Sequence, residues 1–274
     1  MDIQIVNGAA EASGADLVVM MKAPANAKRR LAAEIGELAG EAAAHLLACA
    51  LEDARAWPGS TWLSPANQCD LDWLLSEVDA QSMPTGTYRL PAAGTANQPD
   101  SRKEQRGGMC GLVPQQGANL GARINHVDSY LRRRGADKLL FVGTDCPGLD
   151  SAYLEQAASS LQKADAVLGP AGDGGVVLMG ARLPWPDLRG LGWSTQGLGV
   201  ELRGLCREAG WSIATLDVRD DVDTVADLLG AGALLSGDGR ASRRGLSEWV
   251  SAHYVPLSVR QPGGADEAPR EPAP

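Results

Sequence analysis

KLLFVGTDCP, residues 138–147, is the stretch on which the reading of this chain turns. Its first half, Lys138 to Val142, is a short apolar run without polar alternation, which suits a strand covered on both faces. Its second half sets Gly143, Thr144 and Asp145 at the carboxyl end of that strand, with Pro147 stiffening the exit. In an open α/β sheet ligands bind beyond the carboxyl ends of the strands. A carboxylate placed there is positioned to ligate a hard cation. Mg²⁺ commonly takes one or two protein carboxylates and completes its shell with water and phosphate oxygens. Gly143 is expected to leave room for the ligand. Taken alone, Asp145 reads more readily as a turn or helix-cap carboxylate.

Working outward, strand-like and helix-like segments alternate. Asp16 to Met21 (DLVVMM) reads as a buried first strand. Leu46, Leu47, Ala50, Leu51 and Ala54 recur at helical spacing, and Trp57-Pro58-Gly59 ends that helix. Thr61 to Ser64 is a second strand and Leu71 to Val78 a short helix. Leu120, Ile124, Val127 and Leu131 mark an amphipathic helix from Asn119 to Arg134, with Arg123 and Asn125 on its polar face. A helix over Ser151 to Leu161, strands at Ala166 to Gly169 and Val176 to Met179, a helix over Leu198 to Ala209, a strand at Trp211 to Leu216 and a short helix over Thr224 to Leu229 follow. The alternation implies an α/β fold with a mainly parallel central sheet and helices on both faces.

Composition narrows the function. A net charge of −9 argues against sequence-independent nucleic-acid binding, which depends on Lys and Arg neutralising phosphates. The five cysteines are scattered and form no CxxC pair, so neither a disulfide framework nor a zinc site is expected. There is no basic region followed by an apolar core at the start and no apolar run long enough for a membrane span, so the expectation is a cytoplasmic protein without a membrane partner. Residues 1–235 are expected to form the folded domain, with a flexible insertion at about 91–111. Residues 236–274 are expected to be a largely disordered extension with one short helix, because the Pro, Gly and charge of its end build no core.

Two further segments follow strands. Lys22 to Leu31 (KAPANAKRRL) gathers Lys22, Lys28, Arg29 and Arg30 on a loop, which suits phosphate oxygens and equally a solvated basic turn. Gly169 to Gly180 (GPAGDGGVVLMG) places Asp173 among glycines, where its carboxylate could meet a ligand or serve turn chemistry alone. There is no GxxxxGK[ST] loop and no GxGxxG after the first strand.

Seven blocks in order resemble the bacterial DUF2064 family of glycosyltransferase-A-like proteins. They are KAP at Lys22 to Pro24, KRRLA at Lys28 to Ala32, QQGANLGAR at Gln115 to Arg123, GTDCPGL at Gly143 to Leu149, GPAGDGG at Gly169 to Gly175, WST at Trp193 to Thr195 and DVDTVADL at Asp221 to Leu228. A more distant similarity is to guanylyltransferases that activate phospholactate. The resemblance implies a Rossmann-like nucleotide-diphospho-sugar transferase (GT-A) fold in which Asp145 contributes to a site for Mg²⁺ or Mn²⁺ and a diphosphate. It also makes Asp223 or Asp221 a second metal ligand, whereas the Thr224–Asp227 spacing fits a helix capping box instead. Lys22, Lys28, Arg30, Arg123, Gly143 and Thr144 are then expected to meet the nucleotide, and Asp173 to orient or deprotonate an acceptor hydroxyl. Four departures from the family pattern stand out: Ala25-Asn26-Ala27 in place of a longer loop that contains a Gly, Arg29 in place of Thr, Asn119 in place of Asp, and Val176-Val177 in place of an aromatic pair.

The implied activity is metal-dependent transfer of a glycosyl group from a nucleotide sugar to a small-molecule acceptor. The alternatives are a nucleotidyltransferase that takes a nucleoside triphosphate and releases pyrophosphate, and a catalytically silent nucleotide-binding protein.

Overall fold

The computed structural model describes residues 14–77 and 110–254. Seven strands form one sheet: β1 (Ala15–Met21), β2 (Thr61–Pro65), β3 (Cys110–Leu112), β4 (Lys138–Val142), β5 (Ala166–Pro170), β6 (Val176–Ala181) and β7 (Ile213–Thr215), in the order β3-β2-β1-β4-β6-β5-β7. All neighbours pair in parallel except those of β6, which runs antiparallel to both β4 and β5. The eight α-helices among the described residues are α1 (Arg29–Ile35), α2 (Leu38–Ala56), α3 (Gln68–Glu77), α4 (Leu120–Arg133), α5 (Ser151–Ser160), α6 (Leu198–Glu208), α7 (Val225–Leu234) and α8 (Ala241–Tyr254).

Alternation along the central strands sorts the core. Leu17 and Val19 of β1 point into a cluster with Leu47 of α2, Leu74 of α3 and Leu154 of α5, whereas Val18 points into one with Ile124 and Val127 of α4 and Leu202 of α6. Helices therefore cover both faces, and β1 and β4 are buried along almost their whole length, as the apolar runs implied.

Local sequence explains the element ends. Asn119 caps α4, its Oδ1 accepting from the Ala122 N–H at 2.9 Å, and Asp150 caps α5 by accepting from the Tyr153 N–H at 2.7 Å. Asp145 is thus not the cap of the helix that follows it. Thr224 and Asp227 form a complete capping box at the start of α7.

A third cluster lies outside the sheet, where Leu31, Leu46 and Leu228 meet Leu246, Trp249 and Val250 of α8. This corrects the boundary expected at 235: α8 is a packed helix of fourteen residues, and the sequence reading missed its weight because its apolar face is narrow. Residues 255–274 lie outside the described residues. So does the insertion expected at 91–111, except for its last two residues, which open β3. No helix among the described residues is long and apolar enough to cross a membrane.

Candidate functional site

The chain reverses its strand order between β1 and β4, and this switch point leaves a crevice beyond the two carboxyl ends. The register pairs Val19 with Val142, so Lys22 and Asp145, each three residues further on, emerge level with one another. The crevice has a volume of about 710 Å³. Every residue expected at the site lines it: Lys22, Lys28, Arg30, Arg123, Gly143, Thr144, Asp145, Asp173 and Asp223.

The basic loop is held from below. Asp70, fully buried in the first turn of α3, accepts from the Ala23 N–H at 3.0 Å and from Asn26 Nδ2 at 2.9 Å, while Asn67 Nδ2 donates to its other oxygen at 2.8 Å. The chain then takes a left-handed turn at Lys28 (φ 52°, ψ 48°) and enters α1. Lys28 extends into the site, its Nζ 3.3 Å from Asp145 Oδ2 and 3.2 Å from Asp223 Oδ1. Arg30 reaches Asp223 Oδ2 at 3.1 Å.

Asp145 owes its pose to the glycine before it. A Cβ on Gly143 would stand 2.5 Å from Asp145 Oδ1. The space that glycine was expected to leave for a ligand is taken by the Asp145 carboxylate itself.

The 221–223 segment closes the site. The Val222 N–H donates to the Asp145 carbonyl oxygen at 2.8 Å, and the Val222 side chain is buried. Asp227, besides capping α7, accepts from the Asp223 N–H at 3.1 Å. The capping box and the aspartates at the site are therefore not alternatives: Thr224 and Asp227 hold the helix end that presents Asp223.

Asp145, Asp221 and Asp223 each offer an oxygen within 4.8 Å of the others. Burial, then the Asp145 carboxylate, raises the pKa of Asp221 to about 6, with Asp173 and Asp223 adding to the rise and a backbone hydrogen bond opposing it. An all-carboxylate donor set suits a hard divalent cation such as Mg²⁺ or Mn²⁺. Cys146, next to Asp145, is pushed up to about 12 by burial and then by Asp145, so its thiol is inert near neutral pH.

The turn between β5 and β6 carries Asp173, whose Oδ1 accepts from the Gly175 N–H at 2.8 Å. Trp193 and Thr195 line the same crevice. Gly174, at φ 90°, brings this turn against the 192–197 loop, where a Cβ would meet the Gln196 carbonyl oxygen at 2.2 Å. Asn125 belongs to the scaffold: it donates to the Pro186 carbonyl and accepts from the Leu188 N–H. Sequence reading passed over Asp70, Gln115 and Asn26. Asp70 sits in an unremarkable helical turn, and only its long-range contacts reveal its part.

Residues 78–195 match the model of a family described as "Uncharacterized protein conserved in bacteria (DUF2064)". The chain has no match among curated proteins. It is similar to the crystal structure of a protein provisionally described as a nucleotide-diphospho-sugar transferase from Desulfovibrio desulfuricans G20, with a TM-score of 0.70 and 21% identity over 87% of this chain and 96% of that one. Two further solved structures share a TM-score of 0.47 and 10% identity with it. One is 4-diphosphocytidyl-2C-methyl-D-erythritol synthase from Anaerococcus prevotii DSM 20548, covering 81% of this chain and 99% of that one. The other is a cytidylyltransferase from Leptospira borgpetersenii serovar Hardjo-bovis, covering 87% and 93%. The DUF2064 resemblance is borne out over residues 78–195, which hold four of the seven sequence blocks, and the α/β fold is shared with the Desulfovibrio structure.

Proposed function

We propose that this protein is a metal-dependent transferase that binds a nucleotide-activated sugar and passes the glycosyl group to a small acceptor. The observation that carries the reading is the meeting of Asp145, Asp221 and Asp223 with the basic loop in one crevice. Carboxylates that hold a divalent cation and cations that hold phosphate oxygens are the two halves of a diphosphate site.

Lys22 and Lys28 of the loop, with Arg30 of the first turn of α1, bind phosphate oxygens. Arg123, whose Nε donates to the Gly117 carbonyl at 3.2 Å, keeps its remaining donors for the nucleotide. Gly143 and Thr144 border the ligand where β4 ends. Asp145 and Asp223, with Asp221, hold Mg²⁺ or Mn²⁺. A bound ion neutralises charge on the departing diphosphate. Asp173, exposed in the turn between β5 and β6, accepts the proton of an acceptor hydroxyl.

The cationic loop favours a second reading. Lys22, Lys28, Arg29 and Arg30 together supply more positive charge than a diphosphate requires, which suits the triphosphate of a nucleotidyltransferase. Identifying the released product separates the two. A nucleoside diphosphate from a nucleotide-sugar panel marks glycosyl transfer; pyrophosphate from a triphosphate panel marks nucleotidyl transfer. In either case Asp145→Asn is expected to lower turnover by about 100-fold or more. Full metal-dependent turnover in that variant would rule out both mechanisms, and binding without turnover of any donor would leave a nucleotide-binding protein.

A further inference from the structure

Lys28 is held by two of the residues assigned above to the metal, Asp145 and Asp223, together with the Val222 carbonyl. Its Nζ lies 3.3 Å from Asp145 Oδ2, 3.2 Å from Asp223 Oδ1 and 2.5 Å from the Val222 carbonyl oxygen. An ammonium has three protons to donate, and these oxygens use all of them. Its side chain is 8% exposed, against 39% for Asp145 and 36% for Asp223. The ammonium is enclosed while the carboxylates still open on the crevice.

We infer that Lys28 is a tethered counter-cation that bridges Asp145 and Asp223 of the acidic triad in the absence of a divalent ion and must leave them for the ion to enter. The inference rests on the metal-dependent reading above. A hard dication draws carboxylate oxygens to about 2.0–2.6 Å depending on the ion, closer than Lys28 holds them. Two cations competing for Asp145 and Asp223 in a partly buried site also repel one another.

A displaced ammonium needs another anion. Lys28 lines the crevice beside Lys22, Arg29 and Arg30, so phosphate oxygens brought there by a nucleotide take over its hydrogen bonds. Metal and phosphate then bind cooperatively beyond the bonds they make to each other. By linkage the coupling is reciprocal.

The test measures Mn²⁺ binding to the full chain by electron paramagnetic resonance, alone and with inorganic pyrophosphate, at fixed free Mn²⁺. Lys28→Met keeps the stem and removes the charge, and Lys28→Gln keeps a donor without the charge. Without pyrophosphate, both variants are expected to bind Mn²⁺ about tenfold more tightly than the wild type. Pyrophosphate is expected to tighten binding by a smaller factor in the variants than in the wild type. Mn²⁺ also raises the Tm of the variants more than that of the wild type, a readout that survives some loss of stability.

Equal or weaker Mn²⁺ binding by the folded variants overturns the inference while leaving the metal site standing. If neither the wild type nor the variants bind Mn²⁺, with or without pyrophosphate, the metal-dependent reading fails and this inference with it.

Discussion

The backbone N–H of Val222 donates to the carbonyl oxygen of Asp145 at 2.8 Å, and this bond joins two segments that are far apart in the chain. Val222 turns its side chain into the cluster shared by α1, α2, α7 and α8. Its neighbours Asp221 and Asp223 line the crevice with Asp145. The carboxylate triad is thus a by-product of docking one apolar residue.

Gly143 sets where the Asp145 carboxylate points. A methyl group there collides with the end of a side chain rather than with backbone, so the side chain swings aside at little cost to the fold. Gly143→Ala is expected to change Tm by less than about 2 °C. Turnover with the donor that the wild type uses is expected to fall by about 100-fold, because small misplacements of a catalytic group are costly. Calorimetry and steady-state kinetics check the pair, and unchanged kinetics would contradict the argument.

Asp70 fastens the basic loop from beneath. Asp70→Ala removes the acceptor for the Ala23 N–H and for Asn26, stranding a buried donor at a cost of about 1–3 kcal/mol. The amides of residues 22–28 should exchange hydrogen faster, and nucleotide affinity should fall, with Asp70→Asn intermediate because it keeps one carbonyl acceptor. Hydrogen exchange by mass spectrometry and ligand titration read the two effects. Protection equal to that of the wild type would show that the loop is held by other means.

Asp221 makes stability depend on pH. Burial, followed by the Asp145 carboxylate, raises its pKa to about 6 from 3.8, so the folded protein holds this proton more tightly than the unfolded chain. The stability this contributes is full below about pH 4 and is lost as the pH rises through about 6. Asp221→Asn is neutral throughout. In metal-free buffer at about pH 7.5 its Tm is expected to exceed that of the wild type by roughly 2–4 °C, with the gap closing towards about pH 4.5. A gap that does not change with pH would refute this account.

Arg243 ties α8 to the strand-end loop. Fully buried, its guanidinium donates to Asp53 Oδ2 at 2.5 Å, to Glu52 Oε2 at 3.0 Å and to the carbonyls of Cys49, Pro147 and Leu149. Arg243→Met leaves Asp53 buried with only Arg240 beside it, and the expected loss is about 3–5 kcal/mol. Chemical denaturation of the single variant and of Arg243→Met with Asp53→Leu measures it. The double variant should recover a good part of the loss, since an unpaired buried carboxylate is the source of the penalty. No recovery would place the cost in packing.

Much of this molecule is legible in local sequence. KLLFV and DLVVMM have no polar face, so they form strands buried on both sides, and a parallel sheet places the residue after each strand on a common edge. That is why Lys22, Asp145 and Asp173 could be named from the chain alone. Capping residues are local for the same reason: Asn119, Asp150 and Thr224 each satisfy an N–H three residues ahead. Where two local readings competed at Asp221 to Asp227, the structure accommodates both, because capping uses Thr224 and Asp227 and leaves the earlier aspartates free to face the crevice.

Sequence periodicity by itself thus determined six of the seven strands, most of the helices and the edge on which the site lies, because burial imposes a pattern on neighbouring residues, whereas the short β3 and α1 went unread. Tertiary structure alone decided that β6 enters antiparallel, that α8 completes the core, and that Asp70 supports the loop through hydrogen bonds to distant residues. It also brought Lys28 between Asp145 and Asp223. Charge–charge contacts of this kind have no sequence period, since they depend on where separate segments end once their apolar faces have been buried.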